Sequence, residues 1–242
     1  MKWERPESVS FTNIWLNFTA KDPDSGQIVN YYVQDVPEER FDEVAQLMAT
    51  IFTRDETMCK SLDIINDPMY NMEDSIKDWK NLLKQRMSLI CFKEGSDEIC
   101  GINMLEVLGK HEVNHFSFNE DTDDKDQYIL KVIEFVKSKV DPCNRYHVDK
   151  YLHCLGLLIL PKYRGLGLAT EILKARIPMG KALGLTLSGT LFTGIAAQKA
   201  GLRAGFIEDY SVLYGDLANQ EPFVEFPNIS SQTLKFMSLH LK

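Results

Sequence analysis

The stretch from Cys154 to Thr170, C-L-G-L-L-I-L-P-K-Y-R-G-L-G-L-A-T, constrains this chain more than any other. Tyr151 to Leu160 is apolar at nearly every position, the pattern of a strand buried on both faces. It ends at Pro161 and passes through two glycines into an apolar run of helical spacing, Gly165 to Leu183, with Pro178 as an expected kink. Glycines at 165 and 167 bare main-chain N–H groups where a helix opens. The helix dipole adds partial positive charge at that point, and Lys162 and Arg164 add full charge. Together these features predict a phosphate held at a helix N-terminus. The plain alternative is a tight connection between a buried strand and a surface helix. A Walker loop, G-x-x-x-x-G-K-[ST], is absent. The dinucleotide fingerprint fits poorly: Thr170 stands where a third small residue belongs, and Leu183 to Leu187 lacks the acidic residue expected about 20 positions on.

The rest of the chain places this turn in a mixed α/β sheet within one domain. Ile14 to Phe18 and Ile28 to Val33 read as strands around the turn Asp22–Gly26. A helix is expected from Pro37 to about Phe52, and R-D-E-T-M-C-K after it reads as a loop. Asn71 to Met87 reads as a second helix, and Leu89–Lys93 with Ile99–Leu108 as a hairpin. Gly109 to Asp126 reads as an acidic surface excursion, and Gln127 to Val140 as a helix closed by Pro142. A short strand at Leu185–Ser188, a helix at Gly194–Ala204 and a strand at Phe206–Tyr214 follow; the tail after Gly215 gives no clear pattern.

Composition removes several classes. A net charge of −8 repels a polyphosphate, which argues against nucleic-acid binding, and mildly favours a cationic substrate. No apolar window reaches the roughly 18 residues of a membrane span, and the N-terminus lacks a secretory pattern. The five cysteines show no C-x-x-C pair, so free thiols in a reducing, cytoplasmic compartment are expected. The sequons at Asn17 and Asn228 then carry no weight.

R-G-L-G-L-A (Arg164–Ala169), following I-L-P-K-Y, resembles the R-x-x-G-x-[GA] motif of the GNAT superfamily of N-acetyltransferases. T-G-x-x-x-x-K-A-G-L-R-A-G-F (Thr193–Phe206) is similar to that family's late helix and the G-F step after it. R-D-E-T (Arg54–Thr57) and D-V-P-E-E-R-F-D-E-V before it resemble the insect arylalkylamine N-acetyltransferase branch. The resemblance runs from about Val29 to Tyr214 and implies a single GNAT domain over residues 1–242, with a mixed central sheet, splayed strands and flanking helices. It implies acetyl-CoA as co-substrate and a small primary amine as acceptor. Arylalkylamines of the dopamine, tyramine, serotonin or tryptamine type come first, and agmatine- or polyamine-type amines second. A domain that binds coenzyme A but turns over weakly is a third possibility. The fold needs no partner chain to complete its core.

Acyl transfer to an amine needs a positioned thioester, a neutral amine, an oxyanion donor and a proton for the leaving thiolate. The resemblance puts Glu56 at the position of the general base, which must deprotonate an alkylammonium with a pKa of about 10.4. Read without it, Glu56 is an ordinary surface glutamate beside Asp55 and Lys60. The resemblance also gives the main chain of Leu158, Ile159 and Leu160 to the pantetheine arm, with an N–H near Ile159 as oxyanion donor. The N–H groups of Arg164, Gly165, Leu166, Gly167, Leu168, Ala169 and Thr170 fall to the pyrophosphate. Of two hydroxyl residues serving the reaction in that branch, one aligns with Thr193 and the other with Ala197, which cannot donate a proton. Thr57 likewise replaces a proline, so dopamine or serotonin is not the obvious acceptor.

The rival motif is H-E-V-N-H (His111–His115), a literal H-E-x-x-H, which predicts a zinc peptidase. Its surroundings, Gly109 before and F-S-F-N-E-D-T-D-D after, are not an amphipathic helix, and no third ligand is evident. The run Asp121–Asp126 lacks the glycine and closing glutamate of a calcium loop. No metal is expected.

Overall fold

The order of elements resolves into one eight-stranded sheet with helices on both faces in this computed structural model, which describes residues 3–110, 112 and 125–241. A hairpin, β1 (Ile14–Lys21) and β2 (Ile28–Asp35), comes first. Helix α1 (Phe41–Leu47) follows a single 3₁₀ turn, Glu38–Arg40. It then runs through a π-helical turn, Met48–Phe52, into a last α-turn, Thr53–Asp55. Where a loop was expected, the chain breaks at Glu56 and immediately opens α2 (Thr57–Leu62). Helix α3 (Met72–Leu83) is capped by Asn71, whose Oδ1 accepts from the N–H groups of Glu73 and Asp74. The predicted hairpin is β3 (Leu89–Lys93) and β4 (Ile99–Gly109). Then come α4 (Lys125–Val140), α5 (Pro142–Tyr146), β5 (Lys150–Ile159), α6 (Leu168–Ala182), β6 (Leu187–Phe192), α7 (Ile195–Ala204), β7 (Ile207–Leu213), α8 (Tyr214–Leu217) and β8 (Thr233–His240).

The strand order is β1-β2-β3-β4-β5-β6-β8-β7. Each neighbouring pair is antiparallel except β5–β6, which is parallel. β8, formed by the tail that gave no sequence pattern, inserts between β6 and β7. Successive side chains of β3 serve opposite cores, as a sheet covered on both faces requires. Leu89 and Cys91 meet α6 through Ile172, Leu173 and Met179. Ile90 and Phe92 meet α1 and α3 through Val44, Met48, Trp79 and Leu82. A third cluster joins α4 (Val132, Val136) to Tyr151, Leu234 and Phe236.

The strand expected at Leu185–Ser188 is displaced to Leu187–Phe192. Ser188 and Thr190 turn their hydroxyls inward to Arg176, which breaks the apolar pattern that marks a buried strand. The helix expected from Gly165 begins at Leu168, after both glycines, and stays helical through Pro178.

Candidate active site

β5 and β6 pair only from Leu152–Cys154 to Ser188–Thr190. Beyond that point they splay, and a cavity of about 610 Å³ opens between Leu155–Ile159 on one side and Leu191–Gly194 on the other. Two local features shape the β5 edge. A bulge leaves Leu155 between the pairs Gly156–Met104 and Cys154–Leu105, and bulges re-aim the strand beside functional clefts. Leu160 donates its N–H to Cys100 O at 3.1 Å. Antiparallel alternation then turns the main-chain groups of Leu158 and Leu160 toward β4, and those of Leu157 and Ile159 toward the cleft. Leu158 and Ile159 line the cavity; Leu160 does not.

The glycine turn closes one end. Gly165 and Gly167 have φ of +78° and +88°, and a Cβ at either would meet no protein atom within 4 Å. Glycine is therefore set here by backbone handedness, over open space that a Cβ would enter. Gly167 is the N-cap of α6 without any side-chain cap, and Thr170 gives its N–H to Gly167 O at 3.0 Å. The N–H groups of Leu168 and Ala169 belong to the first helical turn and have no intrahelical acceptor. Arg164 bends back over the turn: its Nε donates to Ile159 O at 2.9 Å and its Nη2 to Asp55 Oδ2 at 2.7 Å. Lys162 pairs instead with Asp24 and Glu98, away from the turn. Leu166 is not part of the cavity lining.

The adjacent acids Asp55 and Glu56 divide across the mouth. Asp55 binds Arg54 and Arg164, and the Arg54 guanidinium, helped by Arg164, holds its carboxyl at about 2. Glu56 faces the opposite wall. Its Oε2 caps α2, accepting from Met58 N–H at 2.9 Å and Cys59 N–H at 2.8 Å. Its Oε1 accepts from Thr193 Oγ1 at 2.5 Å. Thr193 O in turn accepts from Tyr214 Oη at 2.9 Å. Burial, followed by the charge of Glu56, pushes both the Tyr214 phenol and the Cys59 thiol up. Ala197 lines the same wall and carries no hydroxyl. Apolar side chains of Phe52, Met58, Ile129, Ile133 and Leu155 complete the cavity.

The expected residues Glu56, Thr193, Leu158, Ile159, Arg164, Gly165, Gly167, Leu168, Ala169 and Thr170 thus share one cavity. Sequence reading missed Asp55 as the tie to Arg164, and it missed Arg176 and His153, both buried and lining the closed end. His111 and His115 lie outside the described residues; Glu112 accepts from Gly109 N–H at 2.9 Å. Most of the acidic run before Asp126 also lies outside them. Among the described residues, no helix is long and apolar enough to cross a membrane.

No family model and no curated protein matches the chain. Solved structures do. A crystal structure of an insect protein assigned as arylalkylamine N-acetyltransferase 7, from the yellow fever mosquito, is 44% identical, with 100% of each chain covered and a TM-score of 0.92. Arylalkylamine N-acetyltransferase 2 from Aedes aegypti is 20% identical over 88% of this chain and 99% of its own, with a TM-score of 0.75. A Drosophila melanogaster polyamine N-acetyltransferase that forms N-acetylagmatine is 18% identical over 87% of this chain and 99% of its own, with a TM-score of 0.71. The last two share the fold; the first, matched end to end, shows the family. The chain belongs to the GNAT superfamily of N-acetyltransferases, in its insect arylalkylamine N-acetyltransferase branch.

Proposed function

We propose that this single-domain, cytoplasmic enzyme transfers the acetyl group of acetyl-CoA to a small arylalkylamine, directly within a ternary complex. One observation carries the reading: a single cavity joins an uncapped, glycine-opened helix N-terminus to the Glu56–Thr193 pair through the splay of β5 and β6. The N–H groups of residues 165–169 would hold the pyrophosphate, those of Arg164 and Thr170 being taken by Pro161 O and Gly167 O. The cleft-facing main chain of Leu157 and Ile159 would pair with the pantetheine arm as an added strand, and one of these N–H groups would receive the oxyanion. Glu56 would take the ammonium proton, directly or through a water, using the capacity left on Oε1. The apolar wall of Phe52, Met58, Ile129 and Ile133 favours an aromatic ethylamine over a polyamine. Burial keeps Cys59 a thiol, which argues against a covalent acyl-enzyme at that residue.

A thiol-release screen with acetyl-CoA across arylalkylamines, polyamines and amino acids tests the assignment. Glu56→Gln is expected to lower kcat by roughly 10² to 10⁴ while coenzyme A binding, read by calorimetry, persists. Wild-type protein that neither binds coenzyme A nor releases thiol would overturn the reading.

A further inference from the structure

Among the described residues, the buried side-chain polar atoms without a hydrogen-bond partner are Arg176 Nη2 and His153 Nδ1, and both residues line the cleft. Arg176, on α6, has no solvent exposure. Its Nε donates to Asn103 Oδ1 at 2.9 Å, and its Nη1 to Thr190 Oγ1 at 2.6 Å and Ser188 Oγ at 3.1 Å. The guanidinium also lies 5.5 Å from the centroid of the Phe206 ring. These partners are neutral, the Cys154 thiol also lies against the guanidinium, and no carboxylate is paired with Arg176 among the described residues. A guanidinium does not shed its charge, so burying it without a counter-charge is costly. That cost falls if an anion arrives with a reactant.

The position of Arg176 shows which part of a reactant that would be. β5 and β6 cease to pair at Cys154 and Thr190, and Arg176 is bonded to Thr190, so it sits where the cleft closes. A thioester entering at the glycine turn and following Ile159, Leu157 and Leu155 points its acyl chain at this end. Resting on the acyl-transfer reading above, we propose that the closed end is a carboxylate subsite: Arg176 Nη2 receives a carboxylate carried by the acyl donor, as in a dicarboxylic acyl-CoA, or by the acceptor amine. The transfer itself balances as before. The ammonium proton goes to Glu56 and on to solvent, the amine nitrogen bonds to the acyl carbon, the C–S bond breaks with its electron pair on sulfur, and the second proton shed by the nitrogen reaches the thiolate through solvent.

The test compares matched pairs. Succinyl-CoA against butyryl-CoA, with tyramine as acceptor, differ by the terminal carboxylate on the donor. Tyrosine against tyramine, with acetyl-CoA, differ by a carboxylate on the acceptor. For each pair kcat/KM and the calorimetric Kd are measured in wild type, Arg176→Met and Arg176→Gln. The wild type is expected to favour the carboxylate member of one pair on the order of tenfold or more, as a charged hydrogen bond supports, and which pair it is names the source. Both variants should collapse that ratio to about one. A wild type preferring the neutral member of both pairs, or a carboxylate preference that survives in Arg176→Gln, overturns the proposal. If both variants fail to fold, the wild-type ratios decide alone. Turnover of acetyl-CoA with tyramine alongside unfavourable carboxylate ratios sinks this subsite and leaves the acetyltransferase reading standing. No turnover and no coenzyme A binding sinks that reading instead.

Discussion

Gly165 and Gly167 combine two demands that can be separated at the bench. Their φ values of +78° and +88° cost any other L-residue about 1 kcal/mol, and the space above them is empty of protein. Gly184, in the turn after α6, has φ of +69° and equally open surroundings but lies away from the cleft. Gly167→Ala and Gly184→Ala should therefore lose similar stability, about 1 kcal/mol each by chemical denaturation. Only Gly167→Ala should also raise KM for acetyl-CoA severalfold. Equal KM in the two variants would mean that the turn serves the backbone and holds no phosphate. The glycine turn was legible in the sequence because its demands are local, handedness and a helix start, whereas Glu56 stood out only through the branch resemblance and reads by itself as a surface glutamate. Arg176 was not legible. An arginine on a helix of regular apolar spacing reads as a surface residue, and only the packing of α6 under the splayed strands makes it a buried one.

The cavity wall that carries Glu56 and Thr193 depends on how closely α2 and α7 approach. Glu56 caps α2 while bonding Thr193, and the next residue of each segment makes the contact between them: a Cβ on Gly194 would sit 2.5 Å from Thr57 Oγ1. Gly194 has φ of −118°, so alanine is allowed by the backbone and forbidden by Thr57 alone. Gly194→Ala should cost about 1–3 kcal/mol and lower kcat by separating Glu56 from Thr193. Thr57→Ala in the same chain should recover most of both losses. A double-mutant cycle showing additivity would remove Thr57 as the cause. Neither α2 nor β8 could be read from the chain. α2 is a single short helix of six residues whose cap, Glu56, is a carboxylate lining the cavity. β8 gains its place from pairing with β6 and β7, contacts distant in sequence that leave no local periodicity. The buried hairpin β3–β4 and strand β5, apolar on both faces, were legible for the opposite reason.

At the scale of the molecule, the splay between β5 and β6 puts a titratable side chain at the junction of the sheet and the cleft, and that couples global stability to pH. His153 is 2% exposed, and burial, with Lys137 and Arg176 nearby, pushes its imidazole down to about 3. In the unfolded chain the ring titrates near 6.5, its ordinary value. Below that pH the unfolded state takes up a proton that the native state does not, so stability rises with pH between about 3 and 6.5 and is lost on acidification through that window. Between pH 7.5 and 5.0 the loss from this one group should be about 2 kcal/mol. Asp55 contributes over a lower range. Its carboxyl is held at about 2, so its stabilising contacts are lost only as pH falls from the ordinary carboxylate value near 3.8 toward 2. The two windows barely overlap, which allows assignment by a single variant. Urea unfolding of wild type and His153→Leu at pH 7.5, 6.0 and 5.0 should show a clear fall in midpoint for the wild type and a much flatter profile for the variant. A wild-type profile that is flat from 7.5 to 5.0, or one that stays steep in His153→Leu, would mean that water or a bound anion in the cleft already solvates the ring and that the closed end is not dry.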